Sequence, residues 1–248
     1  CLGVEPTAST AKVSREAGIE TLEEFFGTEL AIKLSKNKKA DLIIGNNVYA
    51  HVPDINDFTF GIKALLSHKG TVTLEFPHLL ELVKNNQFDT IYHEHYSYLS
   101  LHTVSDIFKK SGLKVYKVDT LSTHGGSIRI YGCHIDQDKI IDDSFTNLIE
   151  KEKEYGIADI NFYKNFTEKA EHIKNEFHAF LIDCKKRNLL VCGYGAAAKG
   201  NTLLNYSGVK KDLIKFVCDA APAKQNKFLP GSNIPILHPD ILKQENNI

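Results

Sequence analysis

ADLIIGNNVYAHVPD (40–54), INDFTFGIKALLS (55–67) and GTVTLEF (70–76) follow one another along the chain and decide the fold class. The first opens with an apolar run typical of a strand buried on both faces. The second places Phe58, Ile62 and Leu65/Leu66 at helical spacing, and the third returns to strand-forming residues. Strand, helix and strand with short connections predict an α/β doubly wound domain. Working outward, Cys1–Glu5 reads as the end of a buried strand closed by Pro6. Thr7–Thr10 then offers capping hydroxyls to a helix that stops at Gly18. Downstream, Ser105–Lys110 belongs to a helix ending at Gly112. Leu113–Val118 and Ser127–Tyr131 predict two strands joined through THGG (123–126), an antiparallel end to a mostly parallel sheet.

Residues 141–187 read differently. They are charged, and Phe162, Phe166, Ala170, Ile173, Phe177, Leu181 and Cys184 form a helical stripe. Long helices with a break near Gly156 are expected there. Asn188–Val191 then predicts a strand running into GYGAAAKG (193–200), followed by a helix to about Tyr206. A further strand, Ile214–Cys218, ends at Asp219. The expected division is an α/β domain over 1–140, a helical linker over 141–187 and a second, smaller α/β lobe over 188–248.

Composition narrows the function. Thirty basic against 31 acidic side chains leave a net charge of −1, which argues against nucleic acid or an anionic membrane as partner. No apolar run approaches the ~18 residues of a membrane-spanning helix. The chain contains no methionine, not even at position 1, so it reads as part of a longer protein, and no signal-peptide pattern opens it. Five cysteines, odd in number and without a CxxC pair, fit free thiols in a reducing compartment, hence the cytoplasm.

The segment NNQFDTIYHEHYSYLS (85–100) has neither helical nor strand periodicity, and long irregular loops in compact domains are usually functional. His93, Glu94 and His95 put two near-neutral titrating groups beside a carboxylate, which suits proton transfer. His93 and His95 would share a strand face as metal ligands, but nothing nearby completes a metal set. A surface loop with hydrogen-bonded histidines is the plain structural alternative. Glu5 ends the first strand, where an acid accepts hydrogen bonds from ribose hydroxyls. Gly45–His51 follows the next strong strand and faces the same crevice. Gly193–Ala198 fits G-x-G-x-x-G/A, with Asp219 ending the next strand, so NAD binding is one reading. The same turn can hold any phosphate, with Lys199 adding charge. His124-Gly-Gly-Ser127 is another turn where backbone can approach a ligand.

GVEPTAS, ADLIIGNNVYAHVPD, GTVTLEFPHLLELVKNNQFDTIYHEHYSYLSL, THGGSIRIY and VCGYGAAAKGNTLLNY together resemble the S-adenosylmethionine-dependent sugar C-methyltransferases of deoxysugar biosynthesis. The resemblance implies a Rossmann-like class I methyltransferase sheet, incomplete here, plus a smaller Rossmann-like lobe for the nucleotide-sugar. It also implies methylation of a carbon of a nucleotide-linked 4-keto-deoxysugar. His95 would be the base that removes the proton next to the ketone, with Tyr92 and Glu94 positioning substrate and base. Glu5, Asn47 and His51 would bind S-adenosylmethionine; His124, Gly193, Gly195 and Lys199 would bind the sugar nucleotide. The transfer would require no metal. The family's N-terminal zinc module and glycine-rich loop are not in this sequence, and the ending Asn246-Asn-Ile falls short of the family's last strand and helix. The rival readings are an NAD-dependent sugar-modifying oxidoreductase and a non-catalytic nucleotide-sugar-binding fragment.

Overall fold

The computed structural model describes residues 1–243, so the expected early stop at Asn246 lies outside the described residues. The chain divides into two compact units. Residues 1–81 and 95–158 form the first, and 82–94 together with the chain from Asp159 form the second.

In the first unit, β1 (Leu2–Val4), α1 (Ala8–Glu16) and β2 (Glu20–Leu22) make a parallel two-stranded sheet with its crossover helix, and α2 (Thr28–Ser35) follows. Next come β3 (Ala40–Asn46), α3 (Ile55–Leu65) and β4 (Leu66–Pro77), the βαβ unit the sequence predicts. Asp54 caps α3 by accepting the Asn56 and Asp57 N–H groups at 3.0 and 2.9 Å. After α4 (Leu79–Lys84) and the loop, α5 (Leu101–Lys110) leads into β5 (Leu113–Leu121) and β6 (Ser127–His134). The strand order is β3-β4-β6-β5, with β6 antiparallel to both neighbours, so the antiparallel end is present and this sheet is mixed. Finally α6 (Asp143–Tyr155) closes the unit, ending at Gly156 in the left-handed conformation, the expected break.

Strand alternation builds the core. Val72, Leu74 and Phe76 of β4 and Ile128 and Ile130 of β6 are inaccessible, packed with Phe58 and Ile62 of α3, Val104 and Phe108 of α5, and Leu148 of α6. Each such buried side chain contributes about 2 kcal/mol.

Three expectations need correcting. β3 is not buried on both faces: it is an edge strand, and its Leu42 and Ile44 are exposed. Ile43, on the opposite face, packs against the core, and an apolar run alone does not say whether both faces of a strand are covered. β1 is likewise only partly buried, with Leu2 exposed. The Thr7 hydroxyl makes no cap bond to α1; instead Glu5 Oε1 accepts the Thr7 N–H at 2.8 Å.

The second unit contains α7 (Phe166–Lys186), β7 (Gly193–Tyr194), α8 (Ala198–Tyr206), β8 (Val217–Cys218) and β9 (Ile236–Leu237), the strands forming a parallel sheet in the order 7-8-9. Of the apolar stripe, Leu181 packs in this unit's core with Leu204, Ile214 and Val217, while Ile173 stays exposed. Asn188–Val191 is not a strand. Asn188 takes a left-handed φ of 56° and the Leu189 N–H reaches back to the Cys184 carbonyl at 2.9 Å, so this stretch closes α7. The strand before the glycine turn is only the pair Gly193–Tyr194, and Ile214–Cys218 shortens to Val217–Cys218. No helix among the described residues is long and apolar enough to cross a membrane, and all five cysteines are free thiols.

Candidate active site

Because β6 runs against both β4 and β5, strands β3, β4 and β5 point the same way and their carboxyl ends share one edge. Ligands of α/β sheets bind at that edge. Asn47 follows β3 with a left-handed φ of 53°, and its N–H donates to the Glu75 carbonyl at 2.8 Å. A short turn, Tyr49–His51, then buries Tyr49 and leaves His51 partly accessible.

The irregular loop returns to this turn. The Ala50 carbonyl accepts the Tyr96 and Ser97 N–H groups at 3.0 and 3.2 Å, which brings the His95 ring within 4.7 Å of the His51 ring, tilted by 55°. Tyr98 meets His95 edge-on at 6.1 Å. The base of the loop is tied off as well. The Leu79 N–H donates to the Leu99 carbonyl, and buried His78 Nε2 lies 2.6 Å from Glu152 Oε1. The Glu152 carboxylate also accepts the first α5 N–H groups, Leu101 at 2.7 Å and His102 at 2.9 Å, a helix N-terminus stabilised by negative charge. No sequence pattern singles out Glu152 among the charges of α6.

Tyr92 and Glu94 fall in the second unit and His95 in the first. Burial, then the Glu94 and Asp89 carboxylates, push the Tyr92 phenol above its ordinary value, so it stays protonated at neutral pH. Upstream, Asn86 is buried with a left-handed φ of 49°. Its amide, oriented to satisfy both groups, donates to the Phe166 carbonyl and accepts the Ala170 N–H at 3.1 and 3.0 Å. That bond fixes this part of the loop to the first turn of α7.

In the glycine turn, Gly195 has a φ of +97°, a conformation that favours glycine, and its N–H donates to the Cys218 carbonyl at 2.7 Å. Asp219 is committed inside this turn. Its Oδ2 accepts the Ala196 N–H at 2.7 Å and Lys224 Nζ at 3.3 Å, and its Oδ1 accepts the Ala221 N–H at 2.8 Å. Those N–H groups hold its carboxyl below the usual range. The acid that the NAD reading assigns to ribose therefore braces the turn. Gly193 pairs with Val217 of β8, and Lys199 lies in the first turn of α8.

Glu5 is on the two-stranded sheet, at the carboxyl end of β1. His124 sits after β5 in the turn Thr123–Gly125, with a left-handed φ of 55°. The structure thus brings His51 and His95 into contact and sets Asn47 and His124 at one sheet edge. Sequence reasoning missed Glu75 and Arg129. Glu75 is 6% exposed, with Oε2 at 2.7 Å from Arg129 Nη2. A lone acid within GTVTLEF was the available signal, since a strand carboxylate that ends up buried must have a partner.

Comparison with known proteins gives two family matches: a C-methyltransferase C-terminal domain over residues 122–247 and a methyltransferase domain over residues 4–118. The C-methyltransferase NovU of Streptomyces niveus is 36% identical over 240 residues, 96% of this chain and 57% of its own length, so the chain spans little more than half of that relative. Among solved structures, a SAM-dependent methyltransferase of Thermotoga maritima, described as a possible histamine N-methyltransferase, is 20% identical. That match covers 53% of this chain and 72% of the other, at a TM-score of 0.42. Magnesium protoporphyrin IX methyltransferase of Synechocystis PCC 6803 with bound SAH is 12% identical, covering 54% and 63% at a TM-score of 0.41.

Proposed function

The chain belongs to the C-methyltransferase family, and from that premise we propose that it transfers a methyl group from S-adenosylmethionine to a carbon of a nucleotide-linked 4-keto-deoxysugar. The first unit has the Rossmann-like class I methyltransferase fold, with β6 inserted antiparallel ahead of β5 at the sheet end. The observation that carries the reading is the His51–His95 contact at the carboxyl edge of that sheet. A histidine pair at the edge where α/β sheets bind ligands supports a role in proton transfer.

The residues fit the cofactor. One Glu5 oxygen accepts the Thr7 N–H, and the other takes no hydrogen bond among the described residues, leaving an acceptor for ribose hydroxyls. Asn47 and His51 lie just beyond the carboxyl end of β3, in the four-stranded sheet. S-adenosylmethionine, when bound, supplies an electrophilic methyl group. His95 takes the proton from the carbon next to the ketone, and the C–H electron pair moves into an enolate whose oxygen needs a hydrogen-bond donor. Tyr92, kept protonated by its surroundings, is suited to donate there, and Glu94 orients the reacting groups. The nucleophilic carbon would then take the methyl carbon as its bond to the sulfonium sulfur breaks, the electron pair staying on sulfur as in S-adenosylhomocysteine, and the abstracted proton remaining on His95.

The sugar nucleotide is assigned to His124 in the first unit and to Gly193, Gly195 and Lys199 in the second. The division by role into 1–140, 141–187 and 188–248 differs from the compact units, which place α6 with the first and 82–94 with the second. Free thiols throughout suit a cytoplasmic enzyme that works where nucleotide-sugars are made. The test is transfer from methyl-13C S-adenosylmethionine to nucleotide-linked 4-keto-deoxysugars, followed by carbon NMR. A labelled methyl coupled to a sugar carbon supports the reading, and a label on oxygen or nitrogen contradicts it.

A further inference from the structure

We infer that Glu75 is a positioning residue that holds two strained turns of the site, the one bearing Asn47 and the one bearing His124. The inference rests on the proposed roles of those two residues. Asn47 and His124 are both non-glycine residues with left-handed φ, 53° and 55°. That conformation costs roughly 1–2 kcal/mol and persists where neighbouring structure over-determines it. Glu75 touches both turns. Its carbonyl accepts the Asn47 N–H at 2.8 Å, and its Oε1 accepts the Thr123 hydroxyl at 3.3 Å, one residue before His124.

The carboxylate can serve this way because its charge is neutralised from the adjacent strand. Glu75 and Arg129 are register partners on β4 and β6, and their 2.7 Å contact leaves Oε1 to Thr123. The far end of the turn is fixed separately. The Gly126 carbonyl accepts the His78 N–H at 3.0 Å, and Gly126 has a φ of +122° with Glu81 packed where a Cβ would stand. Removing the Thr123 side-chain link therefore loosens the start of the turn, while the Thr123 carbonyl still accepts the Gly126 N–H and the Ser127 hydroxyl, and the Glu75–Arg129 pair stays in place. Glu75 thus sets the His124 turn through its side chain and the Asn47 turn through its main chain.

The test uses the intact protein and the variants Thr123→Val, Thr123→Ser and Glu75→Gln. Amide hydrogen exchange and calorimetric titration with S-adenosylhomocysteine are the readouts. Losing a hydrogen bond to a charged acceptor predicts exchange about tenfold faster at Gly125 and Gly126 in Thr123→Val. In that variant the β4 and β6 core amides and the S-adenosylhomocysteine affinity should stay within about twofold, whereas Glu75→Gln, which also discharges the Arg129 pair, should quicken exchange both in the turn and beside Arg129. Thr123→Ser, which keeps the hydroxyl, should restore wild-type exchange. Unchanged exchange in the turn, an equal rise across the whole sheet, or no rescue by serine would overturn the inference. Should the wild-type protein fail to bind S-adenosylhomocysteine, the methyltransferase reading fails, and the exchange pattern still decides the role of Glu75.

Discussion

The imidazole rings of His51 and His95 lie 4.7 Å apart, one on the turn after β3 and the other on the irregular loop, held there by the Ala50 carbonyl. This contact brings two separate sequence segments together. If His95 is the base, its removal stops proton abstraction while the neighbouring ring still packs.

His95→Ala in the intact protein should therefore slow solvent exchange of the sugar proton next to the ketone by about 10²–10⁴-fold. S-adenosylhomocysteine affinity should hold. Deuterium incorporation followed by NMR measures it, and near-normal exchange would remove His95 as the base.

Asp219 gives a pH-dependent prediction. Its folded carboxyl titrates below the ordinary 3.8 because the Ala221 and Ala196 N–H groups favour the charged form. A depressed folded pKa contributes stability above the unfolded value, which is lost as pH falls through the folded value. Asp219→Asn should flatten the fall in melting temperature below about pH 4 relative to wild type, since Asn does not titrate. Identical acid profiles would show that the turn does not depend on this charge.

The His78–Glu152 contact ties the base of the loop, and both side chains are almost fully buried, 2% and 1% exposed. His78→Ala removes one hydrogen bond to the buried Glu152 carboxylate, which keeps those from the Leu101 and His102 N–H groups, and should destabilise by about 2 kcal/mol in denaturant unfolding. A loss below about 0.5 kcal/mol would mean the pair behaves like a surface contact.

Much of this was legible in the sequence, for physical reasons that differ by element. The βαβ unit at 40–77 was readable because strand and helix periodicities change within a few residues, and Gly156 marked its break because a left-handed cap favours glycine. The loop at 85–100 stood out because it lacked any period. The edge position of β3 was hidden, since Leu42 and Ile44 look the same whether a neighbour covers them or not. Asn188–Val191 misled because apolar residues after a helix can close it as well as begin a strand. Glu152 and Arg129 were invisible because their partners, His78 and Glu75, are remote in sequence. The fingerprint around Gly193 was correct in its letters, and only the geometry showed Asp219 turned inward.

The central claim is the cofactor, and calorimetric titration of the intact protein with S-adenosylhomocysteine and separately with NAD tests it most directly. The account predicts saturable S-adenosylhomocysteine binding and no heat with NAD, because Asp219 is committed to its own turn. Binding of NAD without S-adenosylhomocysteine would contradict the account and make the glycine turn the true cofactor site.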